Sequence, residues 1–166
     1  MKTHLALVQQ TQTVPGTVDT DTDQLTDKEV MFYQEVLLEA GGATIKALRL
    51  GDTTKMLAGL VGLTYTALQA FATRNHAPIE NAGEGYQIYH KLAIMQLLSV
   101  KLHNCSSGQL TAYAELYYVC ANLAAGYLNA NFDKAFIAYH EWQLVCQVSK
   151  EDCISKRPDL AECLFE

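Results

Sequence analysis

The chain has 166 residues, a net charge of −6, 49% hydrophobic residues and only 18% charged ones. One domain of ordinary size fits that length, and it can bury enough surface to fold without a disulfide or metal staple. The acidic balance argues against nucleic acid and anionic membrane as default partners, and the shortage of charge implies that more than one helix face is covered.

The first ten residues, Met1 to Gln10, contain no apolar stretch of signal-peptide length. Residues 9–27 are rich in Thr, Asp and Gln and include Pro15 and Gly16. Residues 1–27 are therefore expected to form a polar N-terminal arm. Thr26 or Asp27 suits the N-cap of a long helix from about Lys28 to Leu50. Gly41 and Gly42, in the middle of that helix, each cost about 1 kcal/mol relative to Ala, so a close helix contact is expected there. Gly51 and Asp52 end it, and Thr53 or Thr54 is the expected cap of the next helix, about Lys55 to Asn75. That helix carries no charge between Lys55 and Arg74, the pattern of a helix buried on all sides.

A connection over 76–85 leads to a third helix, about Glu84 to His103, and Ser106 or Ser107 is the expected cap of a fourth, about Gln109 to Leu128. Asn131 suits the cap of a fifth helix over about 132–147, and a short final helix near Asp159 to Leu164 is compatible with the tail. No strand-like alternation separates itself from these helical periods. The expected organisation is an arm (1–27), an all-α domain (28–147) and a tail (148–166). No stretch is long and apolar enough for a membrane span. The five cysteines show no C-x-x-C spacing, so reduced thiols in a cytoplasmic protein are expected.

A shift of 53 positions lays 33–76 on 86–129, pairing Tyr33 with Tyr86, Leu57 with Leu110, Leu63 with Leu116 and Tyr65 with Tyr118. This suggests duplication of a helix pair. The economical architecture is a four-helix core of two such pairs, its second and fourth helices buried, with a fifth, C-terminal helix added.

Few residues suit chemistry. Glu115 sits mid-helix among Ala112, Leu116, Val119 and Cys120, and a buried carboxylate must be paired, protonated or metal-bound. Its alternatives to a site role are a pair with Lys46, Arg49, Lys91 or a histidine, or a rim position reaching water. Glu35 and Glu39, spaced i, i+4, share a helix face and could hold a hard divalent cation together, or simply face solvent. Asp52 reads as a turn or cap residue. The five histidines lack zinc spacing, and no phosphate-cradling glycine loop is present. Tyr86, Tyr89, Tyr113, Tyr117 and Tyr118 could stack on a base, although their helical spacing suits a core better.

The segment 39–52, EAGGATIKALRLGD, resembles the metal-binding helix of MazG-type nucleoside triphosphate pyrophosphohydrolases, roughly EEVGELAEALRxGD. LAGLVGLTYTAL (57–68) is similar to that family's next helix. The stretch 114–143 is similar to phosphoribosyl-ATP pyrophosphohydrolase-like relatives. The resemblance implies an all-α fold, a homodimer, and cleavage of a nucleoside triphosphate to monophosphate and pyrophosphate. In such proteins an EExxE helix and an ExxD helix hold Mg²⁺. Here Glu39 occupies the first acidic position, with Ala40 and Ala43 at the next two; a register slipped by one places Leu38 and Gly42 beside Glu39 instead. The ExxD positions fall on Gly59 and Gly62, and in the second half on Ala112 and Glu115. The resemblance thus implies a degenerate relative serving as a nucleotide-binding or assembly module. The alternatives are an active Mg²⁺-dependent enzyme whose metal ligands are Glu35, Glu39 and Glu115, with Asp52 or Glu84 assisting, and a purely structural bundle.

Overall fold

The computed structural model describes residues 1–11, 22–74, 77–80, 90–148 and 158–165. Among these residues the secondary structure is helical, with no strand beyond two isolated bridges. Six helices follow in order: α1 Lys2–Thr11, α2 Asp27–Leu50, α3 Thr53–Ala72, α4 Lys91–Asn104, α5 Leu110–Asn122 and α6 Phe132–Val148. A π turn, Leu123–Tyr127, extends α5, and 3-10 turns occupy Cys105–Ser107 and Ala161–Cys163. None of the described helices is long and apolar enough to cross a membrane.

The ends of α2 follow from local chemistry. Thr26 and Glu29 form a reciprocal capping box, and Gly51 closes the helix in the left-handed region at φ 74°. Asp52, rather than Thr53 or Thr54, caps α3, its carboxylate accepting from Lys55 N–H at 3.0 Å. Asp52 stands at the last non-helical position, where its carboxylate meets the free amide of Lys55, and hydrogen bonds from Lys55 hold its carboxyl below the usual range. At α5 neither Ser106 nor Ser107 is the cap; Gln109 holds that position without a side-chain bond, while Ser107 Oγ accepts from Gln109 N–H at 3.3 Å. Asn131 caps α6 as expected, accepting from Lys134 N–H at 3.0 Å.

α3 packs against both α2 and α5, and α4 lies against α2 and α5. α3 and α5 are buried on most sides, their leucines at 57, 60, 63, 68, 110 and 116 fully excluded from solvent. Gly41 shows why a glycine stands in α2: a Cβ there would lie 2.4 Å from Leu102 Cδ1, so a larger residue would make the Leu102 side chain of α4 shift.

The first eleven residues depart from the expected arm. They form α1, a helix docked on α3 and α6 through buried His4, Leu5 and Val8. His4, Leu5 and Val8 are spaced to share one side of a helix, and burial of that side anchors a segment whose neighbours in sequence are polar. The core of the expected arm, 12–21, lies outside the described residues, as do the expected helix start at 84–89 and most of the connection before it. Further on, Leu25 N–H donates to Gly108 O and Leu110 N–H to Asp23 O, each at 2.9 Å, tying the lead into α2 to the start of α5. The final segment is tethered likewise: Asn131 N–H donates to Cys163 O at 2.7 Å, and Leu160 and Cys163 are buried.

Candidate functional site

Glu115 projects from α5 where it faces α4. Its carboxylate accepts from Lys101 Nζ at 2.7 Å, and its side chain is 55% exposed while that of Lys101 is 15% exposed. Of the two settings expected for it, buried or at a rim reaching water, Glu115 takes the rim. Ala112, Leu116 and Val119 are buried, but Glu115 occupies the strip of α5 left open beside α4. Its partner is Lys101, not Lys46, Arg49 or Lys91.

Beside this pair lies an open groove of about 360 Å³ at the turn between α4 and α5. His103, Asn104, Ser107, Gln109, Thr111 and Glu115 line much of it. The groove thus combines hydroxyl, amide, imidazole and carboxylate groups with the amino-terminal end of α5. Its size is at the low end for small-molecule sites.

The other proposed ligands lie elsewhere. Glu35 and Glu39 are exposed on α2, and Asp52 is engaged as a cap and by Lys55 Nζ at 2.7 Å. Among the described residues no group of three or more His, Cys, Asp or Glu side chains could hold a metal ion; Glu35, Glu39 and Glu115 do not form one. Glu84 is outside the described residues.

The two glycines at the ExxD-like positions of α3 are packing sites. A Cβ on Gly59 would stand 2.1 Å from Thr44 Oγ1 and 3.3 Å from Thr44 Cα, so α2 and α3 touch there almost backbone to backbone. Thr44 is fully buried, its hydroxyl donating to Ala40 O at 2.7 Å. A Cβ on Gly62 would stand 3.2 Å from the Tyr139 hydroxyl of α6. In α5 the positions offset by 53 are Ala112 and Glu115, which border the open groove.

Of the tyrosines considered for base stacking, Tyr113 and Tyr117 are buried in the core, and Tyr118 donates its hydroxyl to Ile79 O at 2.9 Å. Tyr86 and Tyr89 lie outside the described residues. Burial pushes the Tyr113 and Tyr117 hydroxyls well above their ordinary pKa, so both stay protonated at neutral pH.

Two buried histidines escaped the sequence reading as a network. His4 Nδ1 lies 2.8 Å from the Tyr117 hydroxyl, its Nε2 lies 3.2 Å from Asp133 Oδ1, and its ring stacks on Phe136 at 4.1 Å. A neutral ring with its proton on Nε2 satisfies both partners, donating to Asp133 and accepting from Tyr117. His140 Nδ1 lies 3.1 Å from the Tyr65 hydroxyl. Burial lowers both histidine pKa values, against the opposing pull of Asp133 on His4 and of Glu141 on His140. A second missed pair joins Glu29 to Arg74, linking the start of α2 to the end of α3, with the Arg74 side chain only 4% exposed. Partners this far apart in sequence leave no local signature.

Cys105, Cys120 and Cys163 are free and buried, and burial pushes the Cys105 thiol up to about 12, which makes it a poor nucleophile. Cys146 is disulfide-bonded, which corrects the expectation of reduced thiols throughout. Pairing depends on spatial approach, which cysteine spacing alone does not reveal.

No family model, no curated protein and no solved structure matches the chain.

Proposed function

We propose that this chain is a degenerate relative of the MazG-type nucleoside triphosphate pyrophosphohydrolases, a four-helix scaffold that binds a nucleotide or assembles with other chains without hydrolysing a triphosphate. The order of helix, Gly-Asp turn and buried helix supports the kinship, as does the side-by-side packing of α3 and α5. The observation that carries the loss of activity is the contact at Gly59. Where such a family places a metal-binding carboxylate, α3 presents a glycine pressed against Thr44, and Gly62 is closed over by Tyr139.

The residues present do not fit Mg²⁺, which takes near-octahedral oxygen ligands and usually one or two carboxylates beside substrate phosphates. Glu115 is held by Lys101, and Glu35 and Glu39 are exposed on a different helix. The groove beside Glu115 is the favoured place for a small polar ligand, because its hydroxyl and amide groups can bond sugar or phosphate oxygens without a metal.

The test is pyrophosphate release by the purified chain over a panel of canonical-base and modified nucleoside triphosphates with Mg²⁺ or Mn²⁺. Thermal-shift measurements with mono-, di- and triphosphates run alongside. No turnover, together with nucleotide stabilisation that Thr111→Leu removes, is the expected result. Turnover abolished by Glu115→Gln would instead establish a working pyrophosphohydrolase and sink this reading. Neither turnover nor stabilisation would leave assembly as the role of the scaffold.

A further inference from the structure

The inner side of α2 is spent on α3 and α4, but its outer side is exposed and unusually apolar. Met31, Phe32, Leu38 and Leu50 are 74%, 59%, 56% and 63% exposed. At 3.6 residues per turn these four share an arc of about 140° with the exposed charges at 35, 39, 46 and 49 and with Gly42 and Ala43. The charges are segregated along the helix: Glu35 and Glu39 precede the glycine, and Lys46 and Arg49 follow it. Lys28, one turn before Met31, lies outside this stretch.

Among the described residues nothing requires Gly42 to be glycine. Its neighbour Gly41 lies against Leu102, but a Cβ on Gly42 would meet nothing within 4 Å among the described residues. Its φ is not among the positive ones. A glycine mid-helix costs about 1 kcal/mol relative to Ala, and no contact among the described residues offsets it.

We infer that the outer face of α2 is an interface for a second copy of this chain, with the two α2 helices crossing antiparallel at Gly42 and Ala43. The sequence is self-complementary in that arrangement and in no parallel one. A two-fold axis between residues 42 and 43 sets Glu39 opposite Lys46 of the other copy, and the reverse. It also brings Glu35 beside the turn carrying Arg49 and Leu50. Leu38 and Leu50 then flank the crossing, where the two small residues let the backbones approach. A parallel pairing would oppose Glu39 to Glu39 and Lys46 to Lys46. Like charges so placed disfavour association. This interface stands whether or not the chain binds a nucleotide.

Analytical ultracentrifugation of the full chain across a concentration series tests it, with melting temperature as the control for folding. A reversible dimer is expected. Gly42→Gln should weaken it at least about tenfold in Kd by holding the crossing helices apart, while the melting temperature of the monomer stays level or rises. Glu39→Lys and Lys46→Glu should each be folded and more weakly associated, should pair with one another when mixed, and should restore the dimer when combined in one chain. A monomer at every concentration would overturn the inference. So would a dimer indifferent to Gly42→Gln and Glu39→Lys, or a doubly reversed chain that folds but stays monomeric.

Discussion

The hairpins α2–α3 and α4–α5 place the same kind of buried helix at the centre of the molecule, yet treat the corresponding positions oppositely. In α3, Gly59 and Gly62 are sealed against Thr44 and Tyr139; in α5, Ala112 and Glu115 border an open groove. The first hairpin is also better tied at its ends, with a full capping box at Thr26 and an aspartate cap at Asp52, whereas α5 begins at Gln109 without a side-chain cap. One hairpin uses these positions for packing, and the other carries a polar residue at the surface. Two hairpins of like order can therefore be closed at one position and open at the corresponding one.

The largest effect should come from undoing the packed half. Gly59→Glu forces a carboxylate against Thr44, whose backbone cannot give way as a flexible side-chain tip could. The clash and the buried charge together should cost about 3 kcal/mol or more. The milder Gly59→Ala should cost about 2 kcal/mol, since strain outweighs the gain in helix propensity. At the corresponding place in α5, Ala112→Gly should lose only about 1 kcal/mol. Urea titration of the three variants measures the contrast. Equal costs at positions 59 and 112 would show that the hairpins are not packed differently.

Next comes the pair that closes the far end of the first hairpin. Glu29 completes the capping box and pairs with Arg74, whose side chain is almost wholly buried. Glu29→Gln keeps the shape but removes the charge, and should cost about 2 kcal/mol in a denaturant titration. A change within error would mean that Arg74 draws its support from its other neighbours.

Each half also meets a buried histidine. His140 bonds Tyr65 of α3, and His4 bonds Tyr117 of α5 with Asp133 on its other nitrogen. Burial lowers both pKa values in the fold, so the folded chain binds fewer protons than the unfolded one below the ordinary histidine value of about 6.5. The stability they contribute is fully present above that value and is lost as pH falls through it toward the folded values. Melting temperature should therefore drop below about pH 6.5, and His4→Phe and His140→Phe should each flatten the slope, because a neighbouring carboxylate (Asp133 or Glu141) only partly offsets burial. A slope unchanged in both variants would assign the acid sensitivity to other groups.

How much of this was legible follows from where the information lies. The helical fold, the burial of 53–72 and the caps at Thr26 and Asn131 were readable because period and cap chemistry are local. Docking of α1 was missed because only His4, Leu5 and Val8 signal it, within a stretch leading to a polar run. Glu115 stayed open between core and rim because its neighbours in sequence are apolar; whether such a position faces the core or a gap between helices depends on the crossing of α4 and α5. The reason for Gly59 was equally hidden, since Thr44 reaches it from another helix. The same holds for Glu29 and Arg74, 45 positions apart.

The smallest effect concerns the open half itself. Lys101 and Glu115 form a pair with one partner half exposed, and such pairs contribute about 0.2–1 kcal/mol. Lys101→Met should therefore lower stability by no more than about 1 kcal/mol, because its aliphatic stem continues to cover the same surface while the charge is lost. Its consequence for binding should be the larger one. With Lys101 gone, Glu115 faces the groove without its cation, and an anionic ligand beside it should be bound more weakly; with Glu115→Gln, Lys101 is released toward the groove and binding of the same ligand should strengthen. Calorimetric titration with a nucleoside monophosphate reads both variants, and opposite signs would place the ligand at this turn. Equal affinities would move the ligand elsewhere and leave the Lys101–Glu115 pair as a surface contact that only holds α4 beside α5.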